Sequence, residues 1–265
     1  MFFVFDLETV PDMELLRATF PDGLPETDPS NVAEEAEAAS GPWQAEDAFL
    51  KHAADVLAPK RSGFLPPMYH RIVSWVGLWI DAHGNPKNQA SWSGEDEVDG
   101  LRRLHDELRT YKDFGLVHHN GRGFDLPVIT YRSMKHGLQM PKRLNHREIR
   151  YRYSDSNRDL IDEFSNYGAS SYPKLKQLGL LIGIPFKQTS DGGQVLDLFR
   201  EGRLAEIEHY CKEDVIATYL IWIHLRHTTG DMAQSAFENL RSRALSKLMD
   251  IQNASPVPDS GGTGE

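Results

Sequence analysis

The chain has a single cysteine, Cys211, among 265 residues. One thiol excludes an intrachain disulfide framework and any cysteine-cluster zinc site, and it fits a reducing compartment. Cys211 itself reads as a small buried apolar group. Long apolar runs are missing as well. Nothing approaches the roughly 20 residues that span a bilayer, and the start carries neither a basic leader nor a cleavage site, so a cytoplasmic location is expected. Positive charge is scarce: 29 Lys and Arg stand against 39 Asp and Glu, for a net charge of -10. That balance argues against a general nucleic-acid coat, which needs clustered cations. There is no internal repeat.

The deficit of positive charge is uneven along the chain. Residues 20 to 60 hold nine acids against Lys51 and Lys60, whereas residues 132 to 158 hold eight bases against Glu148 and Asp155. The basic stretch follows directly on Asp125. It reads either as a guide for a polyanion toward that carboxylate or as a solvated charged loop.

An ordinary apolar share of 40% supports a substantial core. Met1 to Phe5 is a short apolar run that reads as a buried strand delivering Asp6 and Glu8 at its end. Residues 20 to 66, rich in proline, alanine and acids, read as an insertion after that strand, with a helix around 45–57. Strands are expected over 71–80 and 89–92, forming a meander with the first. Residues 95–111 have the stripe of an amphipathic helix with Ser93 as N-cap. A strand at 115–118 then leads to a helix opening at Asp125, with Pro127 tolerated in its first turn. Helices are expected over 173–182, 204–225 and 232–249. The Gly, Ser and Pro-rich end is expected to be a disordered tail over 251–265. This order gives an α/β fold with a mixed central sheet flanked by helices, as a single domain over 1–250.

Within that frame four carboxylates stand out. Asp6 and Glu8 lie in Phe5-Asp6-Leu7-Glu8-Thr9, two apart on a strand and so on one face. Asp125 closes His119-Asn120-Gly121-Arg122-Gly123-Phe124-Asp125, at a helix start, where negative charge is favoured. Asp214 closes Tyr210-Cys211-Lys212-Glu213-Asp214, and Tyr210, four residues earlier, shares its helix face. Each motif alone is weak and has a bland reading: an acidic turn, a helix cap, a packed tyrosine. Brought together, such carboxylates repel by several kcal/mol at intermediate dielectric, so a fold gathering all four needs protons or divalent cations to hold them. The adjacent His118 and His119 read as a polar strand end, because a hard-cation site prefers oxygen.

Taken together the motifs resemble the DEDD superfamily of 3'-5' exonucleases, tyrosine branch, and in particular the predicted exonucleases related to the proofreading domain of family-B DNA polymerases. The likeness extends to Arg158-Asp159-Leu160-Ile161-Asp162, to 174–180, to Asp191-Gly192-Gly193-Gln194-Val195 and to Tyr219. It implies a ribonuclease H-like fold and two Mg²⁺ or Mn²⁺ ions held by Asp6, Glu8, Asp125 and Asp214. It further implies water positioning by Tyr210 and substrate contacts at Thr9, Asn120 and Phe124. The implied substrate is a single-stranded nucleic-acid 3' end, DNA ahead of RNA, with a polymerase or repair protein as a conceivable partner. No polymerase palm or fingers fit in the remaining length, so the exonuclease part is expected to stand alone.

His209, five before Asp214, has the spacing of the histidine branch, but on a continuous helix it points about 140° away from Asp214, against about 40° for Tyr210. Asp159 and Asp162 read as helix caps facing solvent. Two rival readings stand beside the nuclease. Asp6-Leu7-Glu8-Thr9-Val10 is similar to the nucleophile motif of haloacid dehalogenase-like phosphatases, although Glu8 replaces the usual Asp and the later motifs do not fit. The other rival is a module of the same fold that binds nucleic acid or protein without cleaving.

Overall fold

Alternation along the first strand organises the molecule. In the computed structural model, which describes residues 1–24, 43–59, 64–185 and 193–254, β1 spans Phe2–Pro11. Its odd residues Phe3, Phe5 and Leu7 enter one core layer and Val4 enters the other, as the two-residue period of a strand requires. The chain forms two compact units, Met1–Thr9 with Ile72–Glu265, and Val10–Arg71.

The described residues of the second unit hold helices α1 (Met13–Thr19) and α2 (Gln44–Leu57) and a 3-10 turn at Pro67–Tyr69. Asp12 starts α1 by accepting from the Leu15 N–H, an N-cap that satisfies one of the helix's orphan donors. The Asp12 N–H in turn donates to the Tyr69 carbonyl at 2.7 Å. The insertion expected over 20–66 falls within this unit, and its residues 25–42 and 60–63 lie outside the described residues.

The larger unit is built on a five-stranded sheet in the order β3-β2-β1-β4-β5. Here β2 is His70–Ile80, β3 Pro86–Ser93, β4 Gly115–His118 and β5 Asn157–Asp159. β1 and β4 are parallel, with Val4 opposite Val117, and β4 and β5 are parallel, with His118 opposite Asp159. β2 and β3 are antiparallel, with Trp75 opposite Trp92. The sheet is therefore mixed, and with helices on both faces the fold is the ribonuclease H-like α/β architecture.

Helix α3 (Glu97–Arg109) and helix α4 (Asp125–Lys135) cover the Phe3, Phe5 and Leu7 face. Trp79 is its hub: its ring lies 4.6 Å from Phe3, 4.6 Å from Tyr111 and 5.4 Å from Phe114, and its N–H donates to Glu107 at 2.6 Å. The Val4 face is covered by α7 (Leu175–Leu181), α9 (Leu204–Thr228) and α10 (Gln234–Asn253). Between these run the short helices α5 (Arg147–Arg150) and α6 (Leu160–Phe164), and α8 (Gly193–Arg200). No helix among the described residues is long and apolar enough to cross a membrane.

Several expected boundaries shift. β1 runs on through Asp6 and Glu8 to Pro11, so both acids sit inside the strand. The N-cap of α3 is Asp96, which accepts from Val98 and Asp99. Ser93 instead ends β3, its hydroxyl donating to Glu208. α10 continues through Asn253, so residues 251–253 are helical and do not belong to the tail. Residues 255–265 are outside the described residues. Helices α1, α5, α6 and α8 and strand β5 were not expected, being too short to show a clear period.

Candidate active site

The parallel strands β1 and β4 end on the same side of the sheet, and the carboxylates gather there. Asp6 and Glu8 continue the parity of Val4, on the face that packs under α9. From α9, Cys211 approaches β1 so closely that its Sγ lies 3.4 Å from the Asp6 carbonyl oxygen and 3.8 Å from Asp6 Oδ2. Asp6, Glu8 and Cys211 bring ligand-type atoms within 4.8 Å of one another. Asp214 stands three residues further along the same helix.

Asp125 arrives by another route. After β4 the chain turns at Asn120, whose φ of 68° is left-handed, a region asparagine tolerates better than most residues. His118 supports the turn. Its Nε2–H donates to Asn157 Oδ1 at 2.6 Å and its Nδ1 accepts the Gly121 N–H at 3.0 Å. A Cβ on Gly121 would stand 2.6 Å from that ring, so glycine is required here for close approach. Asp159 then clamps the loop, accepting from the N–H groups of Asn120 at 2.8 Å and Arg122 at 3.0 Å. Asp125, only 4% exposed, opens α4 with its carboxylate accepting from its own N–H and from that of Leu7 on β1. Three segments far apart in sequence thereby share one site.

Electrostatics register the convergence. Burial, then the charges of Asp125, Glu8 and Asp214, hold the Asp6 carboxyl well above the ordinary carboxylate range. Burial, Asp214 and Asp125 do the same for Glu8. Asp125 is pushed up to about 7 by burial and by Asp159, and Asp214 to about 7 by burial and by Glu213. Burial first, and then all four acids, raise the Cys211 thiol, which keeps it protonated and out of competition as a thiolate. Asp6, Glu8 and Asp214 remain partly accessible, so the cluster can be reached from solvent. Its oxygen donors, excess negative charge and accessibility fit a small hard divalent cation.

The other expected residues divide. Tyr210 is half-buried on α9, one turn before Asp214. His209 turns to Glu213 at 3.3 Å. Asn120 is exposed at the turn. The Phe124 side chain packs against the α3 and α4 core layer. Thr9 has the strand parity opposite to Asp6 and Glu8, so its side chain lies on the other face of β1. The His119 Nε2–H donates to the Pro173 carbonyl at 3.1 Å, so neither histidine of the pair is turned to the cluster.

Two acids expected to face solvent do not. Asp159 caps α6 through the Ile161 N–H, as a helix cap should, but it is buried along with Asp162. Asp162 binds Arg122 and Arg152, each at 3.0 Å. The basic run supplies several structural partners in the same way. Arg132 is buried against Glu97, Arg143 pairs with Glu148, and Arg158 pairs with Asp155 and Glu163. The loop-anchoring role of Asp159 had a faint signal in the sequence, since Asp159 directly precedes the apolar Leu160-Ile161 of a helix start.

A mixed sheet of this order, flanked by helices and with acids brought together from β1, α4 and α9, defines a ribonuclease H-like protein. Residues 62–257 match the family described as predicted 3'-5' exonucleases related to the exonuclease domain of PolB, and the chain belongs to that family. The matched stretch contains Asp125, Tyr210 and Asp214, while Asp6 and Glu8 precede it. No curated protein matches the chain.

Proposed function

We propose that the chain is a divalent-metal-dependent 3'-5' exonuclease that hydrolyses the terminal phosphodiester of a single-stranded nucleic acid, with DNA preferred to RNA. The observation that carries this reading is the gathering of acids delivered by β1, α4 and α9: Asp6 and Glu8 have ligand-type atoms within 4.8 Å, and Asp125 and Asp214 lie close enough to bear on both. These four acids would hold two Mg²⁺ or Mn²⁺ ions. Bound there, such ions supply Lewis acidity, making water a stronger acid and neutralising charge that builds on the phosphodiester.

The protein's own groups do the rest. Asp125, tied to Leu7 of β1, fixes the distance between the β1 acids and α4. Tyr210 shares the Asp214 face of α9 and orients the attacking water through its hydroxyl. Its part is to position that water rather than to take its proton. Asn120 offers an exposed amide to the sugar or phosphate of the terminal nucleotide, the Thr9 backbone offers a second contact, and the exposed part of Phe124 borders the terminal base. A polymerase or repair protein is the natural partner for such an activity.

Purified protein is incubated with 3'-labelled and 5'-labelled oligonucleotides with and without Mn²⁺, beside Asp6→Ala. Stepwise shortening from the 3' end, lost in the variant, is expected. Binding without cleavage in every metal would instead favour the silent module, and phosphate release from small monoesters the phosphatase.

A further inference from the structure

The loop between α5 and β5 carries an exposed cluster of aromatic rings that the hydrolytic site does not use. Tyr151 and Tyr153 are 54% and 58% exposed, and their ring centroids lie 5.7 Å apart at 68°. Tyr153 also lies 4.6 Å from Tyr167, and the Arg152 guanidinium sits over the Tyr167 ring at 5.9 Å. Tyr167 takes a φ of 57°, a left-handed conformation that a bulky side chain rarely adopts. Its N–H is held by the Asp162 carbonyl at 2.7 Å. The backbone is thus constrained where the ring supports Tyr153.

This cluster is fastened to the loop that carries Asp125. Asp162 binds Arg152 through one carboxylate oxygen and Arg122 through the other, and Arg122 also donates to the Asn157 carbonyl at 3.2 Å. Arg122 is three residues before Asp125. Between α4 and α5 a cavity of about 290 Å³ is lined by Arg122, Leu126, Tyr131 and Arg150, so cationic groups continue from the Asp125 loop toward the tyrosines. Arg147 and Arg150 are both exposed. In a chain of net charge -10, aromatic faces interleaved with guanidinium groups are set apart from the acidic bulk. That combination suits unpaired nucleotides, whose bases stack on aromatic rings while the phosphates meet cations.

We propose that Tyr151 and Tyr153, with Arg150 and Arg122, form a stacking platform for the single-stranded segment on the 5' side of the terminal nucleotide. This rests on the exonuclease reading for its direction, since the 3' end is then placed at the carboxylates. The platform holds the strand by base stacking without reading sequence, so grip depends on substrate length and on the presence of bases.

The test measures binding by fluorescence anisotropy in Ca²⁺, using oligothymidylates of increasing length, alongside turnover of a dinucleotide and a long oligonucleotide in Mn²⁺. The Tyr151→Ala, Tyr153→Ala double variant changes two exposed rings, and circular dichroism verifies its fold. Its affinity for long oligonucleotides is expected to fall on the order of tenfold or more, with dinucleotide turnover unchanged. Replacing bases upstream of the 3' end by abasic sites should weaken wild-type binding to the same extent and leave the variant unaffected. Arg150→Ala should lessen the salt dependence of log Kd by about 0.7. Equal affinity of wild type and double variant at every length, or an abasic effect of the same size in both, overturns the platform. Length-dependent, tyrosine-dependent binding with no cleavage in any metal leaves the platform standing and refutes the exonuclease.

Discussion

Neutralising Asp125 should stabilise the metal-free protein while destroying the proposed activity. Its carboxyl moves from 3.8 to about 7 on folding, chiefly through burial, which corresponds to roughly 4 kcal/mol at 1.36 kcal/mol per pH unit. The sign follows from linkage. Between pH 3.8 and 7 the unfolded carboxyl is ionised while the folded one holds its proton, so stability falls as pH rises through that window, and above 7 the full penalty is present. Asp125→Asn cannot ionise, and its side-chain oxygen can still accept from the Leu7 N–H. Imperfect replacement of the carboxylate's hydrogen bonds takes back part of the gain, leaving roughly 1–3 kcal/mol at pH 8 in a chelator. For a chain of this size that is roughly 2–12 °C in Tm, at about 2–4 °C per kcal/mol.

Differential scanning fluorimetry at pH 5 and pH 8, each with EDTA or Mn²⁺, reads the effect. In EDTA the advantage of Asp125→Asn should be large at pH 8 and small at pH 5. At pH 8 in Mn²⁺ the order should narrow or invert, because an ion at 100 times its Kd stabilises the wild type by about 2.7 kcal/mol and the variant by less. An Asn variant less stable than wild type at pH 8 in EDTA, by the same margin as at pH 5, would mean that Asp125 is a structural acid, and the argument from clustered charge would fail.

Other outcomes follow from the same packing. Tyr210→Phe should lower kcat by about 10²-fold, and His209→Ala, which gives up the Glu213 contact and an edge contact with Tyr210, should lower it far less; steady-state turnover of a labelled oligonucleotide compares them, and the opposite ranking would reassign the role. Glu97→Gln should cost about 3–5 kcal/mol in urea unfolding, because it strands the buried Arg132 guanidinium, now held at 2.5 Å, without its counter-charge. Gly77→Ala would set a Cβ 1.8 Å from the Phe3 ring, an overpacking expected to cost about 1–3 kcal/mol and to be relieved in part by Phe3→Leu. His105 is held down to about 4, first by burial and then by Arg109. Its neutral folded form therefore loses stability as pH falls from 6.5 toward 4, and His105→Gln should flatten that acid limb in a pH series of melting curves.

How much of this was legible in sequence depended on the range of the interactions involved. Period and punctuation disclosed β4 at its observed bounds and α4, α9 and α10 within a few residues, because each buries a continuous face or carries strong end signals. Asp6 and Glu8 were expected at a strand end, yet β1 runs past them; pairing with neighbouring strands extends an apolar run whose own period has already stopped. The three-residue β5 had no period to show. It exists because His118 and Asn157 bond across the β4–β5 pair and Asp159 holds the turn leading to Asp125.

The acids of 159–162 show the same limit from the other side. Carboxylates flanking an apolar pair read as solvated caps, and local rules cannot register that Arg122 and Arg152, forty and ten residues away, supply the counter-charges that allow Asp162 to be buried. Burial of charge is decided by partners, and partners are a tertiary property. The four clustered acids invert this reasoning. The cations nearest them in sequence are turned elsewhere, Arg122 to Asp162 and Lys212 to Glu208, and the fold crowds the four acids with Asp6, Glu8 and Asp214 still partly accessible, so what neutralises them at neutral pH has to come from outside the chain. Protons serve that purpose only up to about pH 7 for Asp125 and Asp214. Above it the four acids form a site of high negative potential, which is the physical basis for expecting metal-dependent stability and metal-dependent hydrolysis to appear together and to be lost together when any one of the four is neutralised.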